Sequence, residues 1–117
     1  MRDYQIKGVN FMLRMYHAGM SCVLADEMGL GKTLQTIALL GTLKKDYKLR
    51  GAHLVVVPMS VLSNWLSEFK KFCPLLKVVR YHSSDLSEKQ RLRYVDCLEL
   101  WLYLCDVATM FHHWLVH

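Results

Sequence analysis

The sequence predicts an α/β fold with a mostly parallel sheet. Short runs rich in β-branched residues alternate with segments whose apolar residues recur every three or four positions, and glycine or proline separates the two kinds of segment. Strands that alternate with helices need crossover connections, which set neighbouring strands parallel. With 117 residues, 53% of them hydrophobic and 21% charged, the chain suits one small domain and not a disordered or low-complexity segment.

A helix, a strand and a second helix are predicted in the first part of the chain. Asp3 can cap the first helix, which would end near Gly19. Its apolar face would consist of Ile6, Val9, Leu13 and Tyr16. Residues 21–25, with the sequence SCVLA, fit a strand buried on both faces. A glycine turn at 29–33 leads into the second helix. The apolar residues of that helix are Leu34, Ile37, Ala38 and Leu40.

Two further strands flank a third helix. Residues 53–57 (HLVVV) form a β-branched strand that ends at Pro58. Ser60 can cap the next helix, which closes before Pro74 and is followed by a strand at 77–81 (KVVRY). The apolar stripe of this helix would be Leu62, Trp65, Leu66, Phe69 and Phe72. Ser87 and Gln90 form a capping-box pattern that opens a further helix, and from about Cys97 no clear period remains.

The GLGKT turn has the residue types that a phosphate-binding loop needs. Successive backbone N–H groups at a helix N-terminus bind phosphate well, and Gly29 and Gly31 leave the backbone open to it. Lys32 can reach the β and γ phosphates, and the Thr33 hydroxyl can ligate magnesium. The common GxxxxGK[ST] pattern has a glycine where this chain has Asp26, so the match is incomplete. The predicted strand before the turn and the helix after it favour a phosphate-binding role.

Three blocks in the correct order resemble the Snf-family chromatin-remodelling ATPases, which are helicase-like DNA translocases of superfamily two. RDYQIKGVNFM at 2–12 resembles the Q motif of the family, and LADEMGLGKTLQTIALL at 24–40 resembles its motif I. VVVPMSVLSNWLSEF at 55–69 resembles motif Ia. Motif I of this family has an acidic residue at the position of Asp26, so the departure from the GxxxxGK[ST] pattern supports the resemblance. The run at 50–69 looks closest to the imitation-switch (ISWI) remodellers.

The resemblance implies a three-layer, RecA-like P-loop NTPase fold, here incomplete. It covers residues 2–82 and then fades, so residues 1–95 are expected to form part of the ATP-binding lobe. Residues 96–117 are expected to be an apolar tail of divergent sequence. The resemblance also implies ATP and Mg²⁺ as cofactors, double-stranded DNA or nucleosomes and a second lobe or remodeller subunits as partners, and a nuclear location.

The resemblance assigns roles to individual residues. Gln5 would read the adenine edge, which a side-chain amide can do through its paired donor and acceptor. The remaining nucleotide-binding positions would be Asp26, Glu27, Met28, Gly29, Leu30, Gly31, Lys32 and Thr33, with Thr33 also binding Mg²⁺. A motif that meets the DNA backbone would comprise Pro58, Ser60, Asn64 and Trp65. Trp65 also lies on the apolar stripe of its helix, which favours a core role.

The expected function is the ATP-binding part of a DNA translocase that cannot hydrolyse ATP by itself. Hydrolysis needs a second acid to hold the metal and positive charge on the transition state. The sequence contains neither the DEGH acid pair of the family nor its second lobe. The alternative is a non-catalytic fragment that acts through protein binding, which the apolar run at 98–116 motivates. A small-molecule P-loop kinase is a weaker third possibility, because no cluster of lid arginines is visible.

Charge and cysteine spacing limit the other possibilities. Fifteen Lys and Arg against ten Asp and Glu give a net charge of +5, which suits a polyanionic partner. A basic cluster is formed by Lys44, Lys45, Lys48 and Arg50, and it fits a solvated connection better than a DNA contact. The cysteines Cys22, Cys73, Cys97 and Cys105 lack CxxC spacing, which favours a reducing compartment.

The end of the chain carries two further patterns. The run from 98 to 116 has membrane length, but Asp106 near its middle favours a core helix or an apolar tail over a spanning helix, and we expect no membrane association. Three histidines, His112, His113 and His117, have spacing compatible with metal binding. No Cys or carboxylate completes a ligand set near them, so the sequence predicts no metal site there.

Overall fold

The computed structural model describes residues 1–25, 31–48, 53–81 and 101–106, the last six and Tyr81 by their backbone. The chain divides into two compact units, residues 1–48 and residues 49–117. The first unit contains helices α1 (Asp3–His17) and α2 (Lys32–Lys45). The second contains strand β1 (His53–Val57), helix α3 (Leu62–Phe72) and strands β2 (Lys77–Tyr81) and β3 (Trp101–Asp106).

Helix α1 begins one residue earlier than a cap at Asp3 would require. The cap position belongs to Arg2, and Asp3 is the first helical residue. The Arg2 backbone N–H donates to Gln5 Oε1 at 2.8 Å, so a side chain from the first turn reaches back to the cap residue, whereas an Asp3 cap would have accepted from N–H groups inside the helix. Asp3 instead lies in the first turn, where its negative charge interacts favourably with the helix dipole.

The end of α1 near Gly19 is confirmed. The Met20 N–H donates to the Met15 carbonyl and the Gly19 N–H to the Tyr16 carbonyl, which are the paired bonds of a Schellman motif. Gly19 has a φ of +70°, the left-handed conformation that this motif requires at its centre.

The predicted apolar face of α1 is confirmed at Val9, but the rest of the buried stripe is shifted by about one residue. The buried residues are Gln5, Val9 and Met12, whereas Ile6 and Tyr16 are exposed. The sequence of α1 has apolar residues on most sides, so the periodicity fits more than one stripe. The stripe that is buried is the one in line with Gln5.

Residues 21–25 do not form the predicted buried strand. They have no regular secondary structure, and Val23 is 82% exposed. An apolar run makes a strand only when neighbouring strands accept and donate to its backbone, so composition alone does not specify one. Only Leu24 of this segment is partly buried, and its side chain lies next to Gly8.

The second unit is built on a parallel three-stranded sheet with the order β1–β3–β2. His53 is paired with Leu102, and Val78 is paired with the same residue from the other side. The parallel α/β arrangement and the strands at 53–57 and 77–81 are therefore confirmed. The central strand β3 was not predicted, because it lies inside a long apolar segment without turn residues.

Helix α3 packs its apolar side on the sheet. Leu62 and Val57 are buried together, and Val55, Trp65, Leu66 and Val78 pack against them. Phe69 is fully buried at 0% exposure. Phe72, predicted for the same stripe, is 46% exposed because it is the last helical residue, and the Lys71 ammonium lies 5.1 Å from the centre of its ring.

The start of α3 differs from the prediction that Ser60 caps it. Ser60 lies within a 3-10 turn, Met59–Val61, closed by the Val61 N–H donating to the Pro58 carbonyl. Because this turn already directs the chain into the helix, α3 begins at Leu62 without a side-chain cap.

The remaining predictions after residue 81 fall largely on residues that the structure does not describe. These are the helix opened by Ser87 and Gln90, the histidines at 112, 113 and 117, and most of the apolar run. In the described ranges, no helix combines the length and apolar character needed to cross a bilayer.

Candidate functional site

The N-terminus of α2 carries the last residues of the glycine turn. Gly31 is the cap residue of α2, with φ +80° and ψ +42°, and its carbonyl accepts the Gln35 N–H at 3.1 Å. Lys32 and Thr33 are the first two helical residues, and both are half-buried. The first N–H groups of a helix have no partner within it and carry the positive end of the dipole. The geometry therefore suits an anion beside Lys32 and Thr33.

Two separate features require glycine at position 31. Its φ lies in the left-handed region, where a side chain would be strained. In addition, a Cβ at this position would overlap Gln5 Nε2. The open space that the missing side chain leaves is occupied by the carboxamide of Gln5.

Gln5 is therefore held at the start of both helices. Its side chain is buried, with Oε1 accepting the Arg2 N–H and Nε2 lying against Gly31. The structure brings together Gln5 from the first sequence block and the Gly31–Lys32–Thr33 segment from the second. The proximity of these two blocks could not be predicted from the sequence alone.

A second glutamine, Gln35, lies one turn further along α2. It is 0% exposed, and a Cβ at Gly8 of α1 would overlap its Oε1. Neither Gln35 nor Gly8 was predicted to be functional, because a glutamine among the apolar residues of a helix usually faces solvent. The sequence does contain a signal for this contact. Each helix region has one glutamine and one glycine about one turn apart, Gln5 and Gly8 in α1 and Gly31 and Gln35 at the start of α2.

The rest of the predicted nucleotide-binding set lies outside the described residues. This set is Asp26, Glu27, Met28, Gly29 and Leu30. In the described ranges, no group of three or more His, Cys, Asp or Glu side chains is arranged to hold a metal ion.

The predicted DNA-contacting residues follow the carboxyl end of β1. Pro58, Ser60 and Asn64 are exposed, and Asn64 Nδ2 donates to Glu68 Oε1 at 3.4 Å. Trp65 is half-buried against the core, with its ring centre 6.1 Å from that of Phe69. The first three residues are accessible to a ligand, whereas Trp65 has a packing role. Ligands of parallel α/β sheets bind beyond the carboxyl ends of the strands, which is where these residues lie.

One histidine of the second unit has an altered acidity. Burial lowers the pKa of His53 below its ordinary value of 6.5, because desolvation disfavours the charged imidazolium. His53 Nε2 is buried and has no hydrogen-bond partner among the described residues. At neutral pH this side chain is therefore uncharged at the start of β1.

A family model for the SNF2-related domain matches residues 4–110. The match covers nearly the whole chain, including both glutamine-containing helices and all three strands. The chain therefore belongs to the SNF2-related domain family, and the resemblance stated from its sequence blocks is confirmed.

Curated relatives from plants and animals align with high identity. The chain is 53% identical over 81 residues to a probable chromatin-remodelling complex ATPase chain of Oryza sativa subsp. japonica, covering 69% of this chain and 7% of the relative. It is 52% identical over 93 residues to an ISWI chromatin-remodelling complex ATPase of Arabidopsis thaliana, covering 80% of this chain and 9% of the relative. It is 56% identical over 79 residues to the human SWI/SNF-related matrix-associated actin-dependent regulator of chromatin subfamily A member 1, covering 68% of this chain and 8% of the relative.

A solved structure shares the architecture. The Sulfolobus solfataricus SWI2/SNF2 ATPase core in complex with dsDNA superimposes with a TM-score of 0.71 and 41% identity, covering 88% of this chain and 21% of that chain. The chain thus spans less than a tenth of the three curated relatives above and about a fifth of the ATPase core.

Proposed function

We propose that this chain is the ATP-binding part of the first lobe of an ATP-dependent DNA translocase of the chromatin-remodelling type. One observation carries the proposal: α2 begins at a left-handed Gly31 with Lys32 and Thr33 in its first turn, and Gln5 lies against that glycine. Phosphate and base recognition would then occur at one end of a single helix pair. The lobe would have the three-layer RecA-like fold, to which the second unit would contribute its parallel sheet.

The phosphates would be bound mainly by backbone and charge. The N–H groups at the start of α2 supply donors without the desolvation penalty of buried side-chain charges, and the helix dipole adds to them. Lys32 provides a positive charge at the same place. Gly29, together with the other positions of 26–30, would complete the loop on the side preceding Gly31.

Gln5 would recognise the base. A carboxamide offers one acceptor and two donors, which can pair with the edge of adenine. Its Oε1 accepts from the Arg2 N–H at 2.8 Å. The bond to Arg2 would fix the orientation of the amide before the nucleotide arrives.

The residues present fit a magnesium nucleotide. The first N–H groups of α2 and the Thr33 hydroxyl in its first turn are the features such a ligand needs. Thr33, with oxygens of the phosphates, would hold Mg²⁺, and the ion would neutralise charge on the triphosphate. Lys32 would then contribute the remaining positive charge from the protein.

Duplex DNA or a nucleosome is the proposed macromolecular partner, and the nucleus the proposed location. Pro58, Ser60 and Asn64 are exposed beyond the carboxyl end of β1, where they would meet the DNA backbone. The chromatin-related relatives and the DNA complex of the ATPase core support this assignment. A second lobe or remodeller subunits would complete the translocase.

The domain boundary at residue 95 stays a prediction. The position of Trp101–Asp106 at the centre of the sheet argues that the lobe extends at least through residue 106.

Nucleotide binding is tested by titrating the purified chain with a fluorescent ATP analogue in the presence of Mg²⁺. Saturable binding is expected, and Lys32→Ala should weaken it about tenfold or more, because a charge-assisted bond contributes about 1.5–3 kcal/mol. Lys45→Ala is the matched control, since Lys45 is exposed at the opposite end of α2. Equal affinity of wild type and Lys32→Ala would contradict the proposal.

We further propose that the chain alone does not turn over ATP. An arginine finger contributes about 10³ to 10⁵ in rate, and in this family it comes from the second lobe. Phosphate release should therefore stay at background with and without duplex DNA. Turnover that duplex DNA stimulates and Lys32→Ala abolishes would show the opposite.

The alternative of protein binding without catalysis is favoured by one observation. Leu54 and Val56, on one side of β1, are exposed although both are apolar. Light scattering of the purified chain separates the two functions: a monomer that binds the ATP analogue supports the nucleotide-binding proposal. A chain that self-associates and binds no nucleotide supports the alternative.

A further inference from the structure

Helices α1 and α2 lie side by side and run in the same direction. Gln5 and Gly31 meet near the start of both helices, and the rings of His17 and Tyr47 meet at their far ends with centres 4.5 Å apart. Apolar side chains alone tolerate more than one packing arrangement of two neighbouring helices, so specific contacts are needed to fix one of them. The first unit contains two such contacts.

The two contacts are reciprocal. Gln5 of α1 lies over Gly31 at the cap of α2, and Gln35 of α2 lies over Gly8 of α1. Gly8 is three positions after Gln5, and Gln35 is four positions after Gly31, which is about one turn in each helix. In each contact, a long polar side chain occupies the space that a glycine leaves empty. We call this pair the reciprocal contacts.

We infer that Gln35 is a positioning residue that sets the base selectivity of the nucleotide site by fixing where Gln5 lies. This inference rests on the proposed function, in which Gln5 reads adenine. Gln35 is fully buried and lies against Gly8, so this contact sets the position of α1 along the axis of α2. A slip of one residue would move Gln5 by about 1.5 Å along the helix axis and turn it by about 100°.

A displacement of that size is enough to remove base recognition. Hydrogen bonds weaken steeply beyond about 3.2 Å and at poor angles, so a carboxamide displaced by 1.5 Å no longer pairs with a base edge. Phosphate binding differs in this respect. It depends on the first N–H groups of α2 and on Lys32, which belong to α2 itself and do not move with α1. The reciprocal contacts should therefore affect adenine preference and leave triphosphate affinity in place.

The test measures dissociation constants of the full 117-residue chain for ATP, GTP and inorganic tripolyphosphate, each with Mg²⁺. Gly8→Ala, whose Cβ overlaps Gln35 Oε1, should reduce the preference for ATP over GTP about tenfold while tripolyphosphate affinity changes less than about twofold. Gln35→Met keeps the length of the side chain without its amide and should reduce the preference in the same direction. Gly8→Ala combined with Gln35→Ala removes the overlap but also removes the positioning side chain, so the preference should stay reduced; full recovery would overturn the inference.

Gly19→Ala is the matched control, because Gly19 has no described atom near its missing side chain. It should leave the ATP to GTP preference at the wild-type value. Wild-type preference in both Gly8→Ala and Gln35→Met would overturn the inference and leave the proposed function standing. A parallel loss of tripolyphosphate affinity would also overturn it, since the effect would then be general damage to the fold. Absence of saturable nucleotide binding in the wild-type chain would overturn the proposed function and this inference together.

Discussion

Gly31→Ala should destabilise the first unit by more than any strain in its backbone explains. The left-handed φ of +80° disfavours alanine by about 1–2 kcal/mol. The new Cβ also overlaps Gln5 Nε2, so the carboxamide must move and its bond to the Arg2 N–H is lost. A hydrogen bond of this kind contributes about 0.5–1.5 kcal/mol. The total expected loss in the free energy of unfolding is therefore about 1.5–3.5 kcal/mol.

Gly19→Ala separates the two contributions. Gly19 has nearly the same backbone conformation, with φ +70°, but no described atom lies within 4 Å of the position of a Cβ. Its replacement should cost only the backbone term of about 1–2 kcal/mol. Urea unfolding followed by far-ultraviolet circular dichroism measures both variants against the wild type.

A double-mutant cycle with Gln5→Ala completes the experiment. If the extra loss at Gly31 comes from the overlap with Gln5, then Gly31→Ala should cost about as much as Gly19→Ala once Gln5 is shortened. Equal losses for Gly31→Ala and Gly19→Ala in the wild-type background would refute the reasoning. So would an unchanged extra loss in the Gln5→Ala background.

Three further predictions concern the second unit. Phe69→Ala should lower the free energy of unfolding by about 3–5 kcal/mol because the ring is fully buried, whereas Phe72→Ala should lower it by less than about 1 kcal/mol; equal losses in urea unfolding would contradict the described packing. Because the pKa of His53 is lowered in the folded chain, the unfolded chain binds protons more readily, so stability should be complete above about pH 6.5 and fall as the pH decreases below it. His53→Gln should reduce that decrease, and an identical pH profile for the variant would argue against burial as its cause. Asn64→Ala should weaken binding to a fluorescent DNA duplex without changing the urea midpoint, since the Asn64 side chain is exposed; unchanged DNA affinity would remove Asn64 from the proposed interface.

The elements bounded by proline or glycine were predicted well. Strand β1 ends at Pro58, α3 ends two residues before Pro74, and α1 ends in the motif centred on Gly19. These residues act locally, through a fixed φ, a missing N–H or access to the left-handed region. Their effect is therefore visible in a single sequence.

The errors arise where distant residues decide the outcome. Residues 21–25 have the composition of a buried strand, but pairing with other strands, not composition, defines a strand. Trp101–Asp106 has no flanking turn residues and is nevertheless the central strand. The buried face of α1 follows Gln5, whose contact with Gly31 is 26 positions away in the sequence and leaves no periodic signal.

The site shows the same division. The phosphate-binding turn was found from residue types alone, because glycine, lysine and threonine at this spacing have a direct chemical purpose. Gln35 was not predicted from its residue type, because its importance depends on Gly8 in another helix. A buried amide is recognised only when its neighbour is known.

The central place of β3 has a consequence for how the chain acquires its structure during synthesis. Neither β1 nor β2 has the other as a neighbour, since each is paired with the strand between them. On the ribosome, both segments emerge before Trp101, and the edges that they present to β3 stay unpaired until β3 emerges, about fifty residues after β1. During that interval, apolar runs such as HLVVV expose unpaired backbone groups to which another chain can pair, so the nascent polypeptide is open to aggregation.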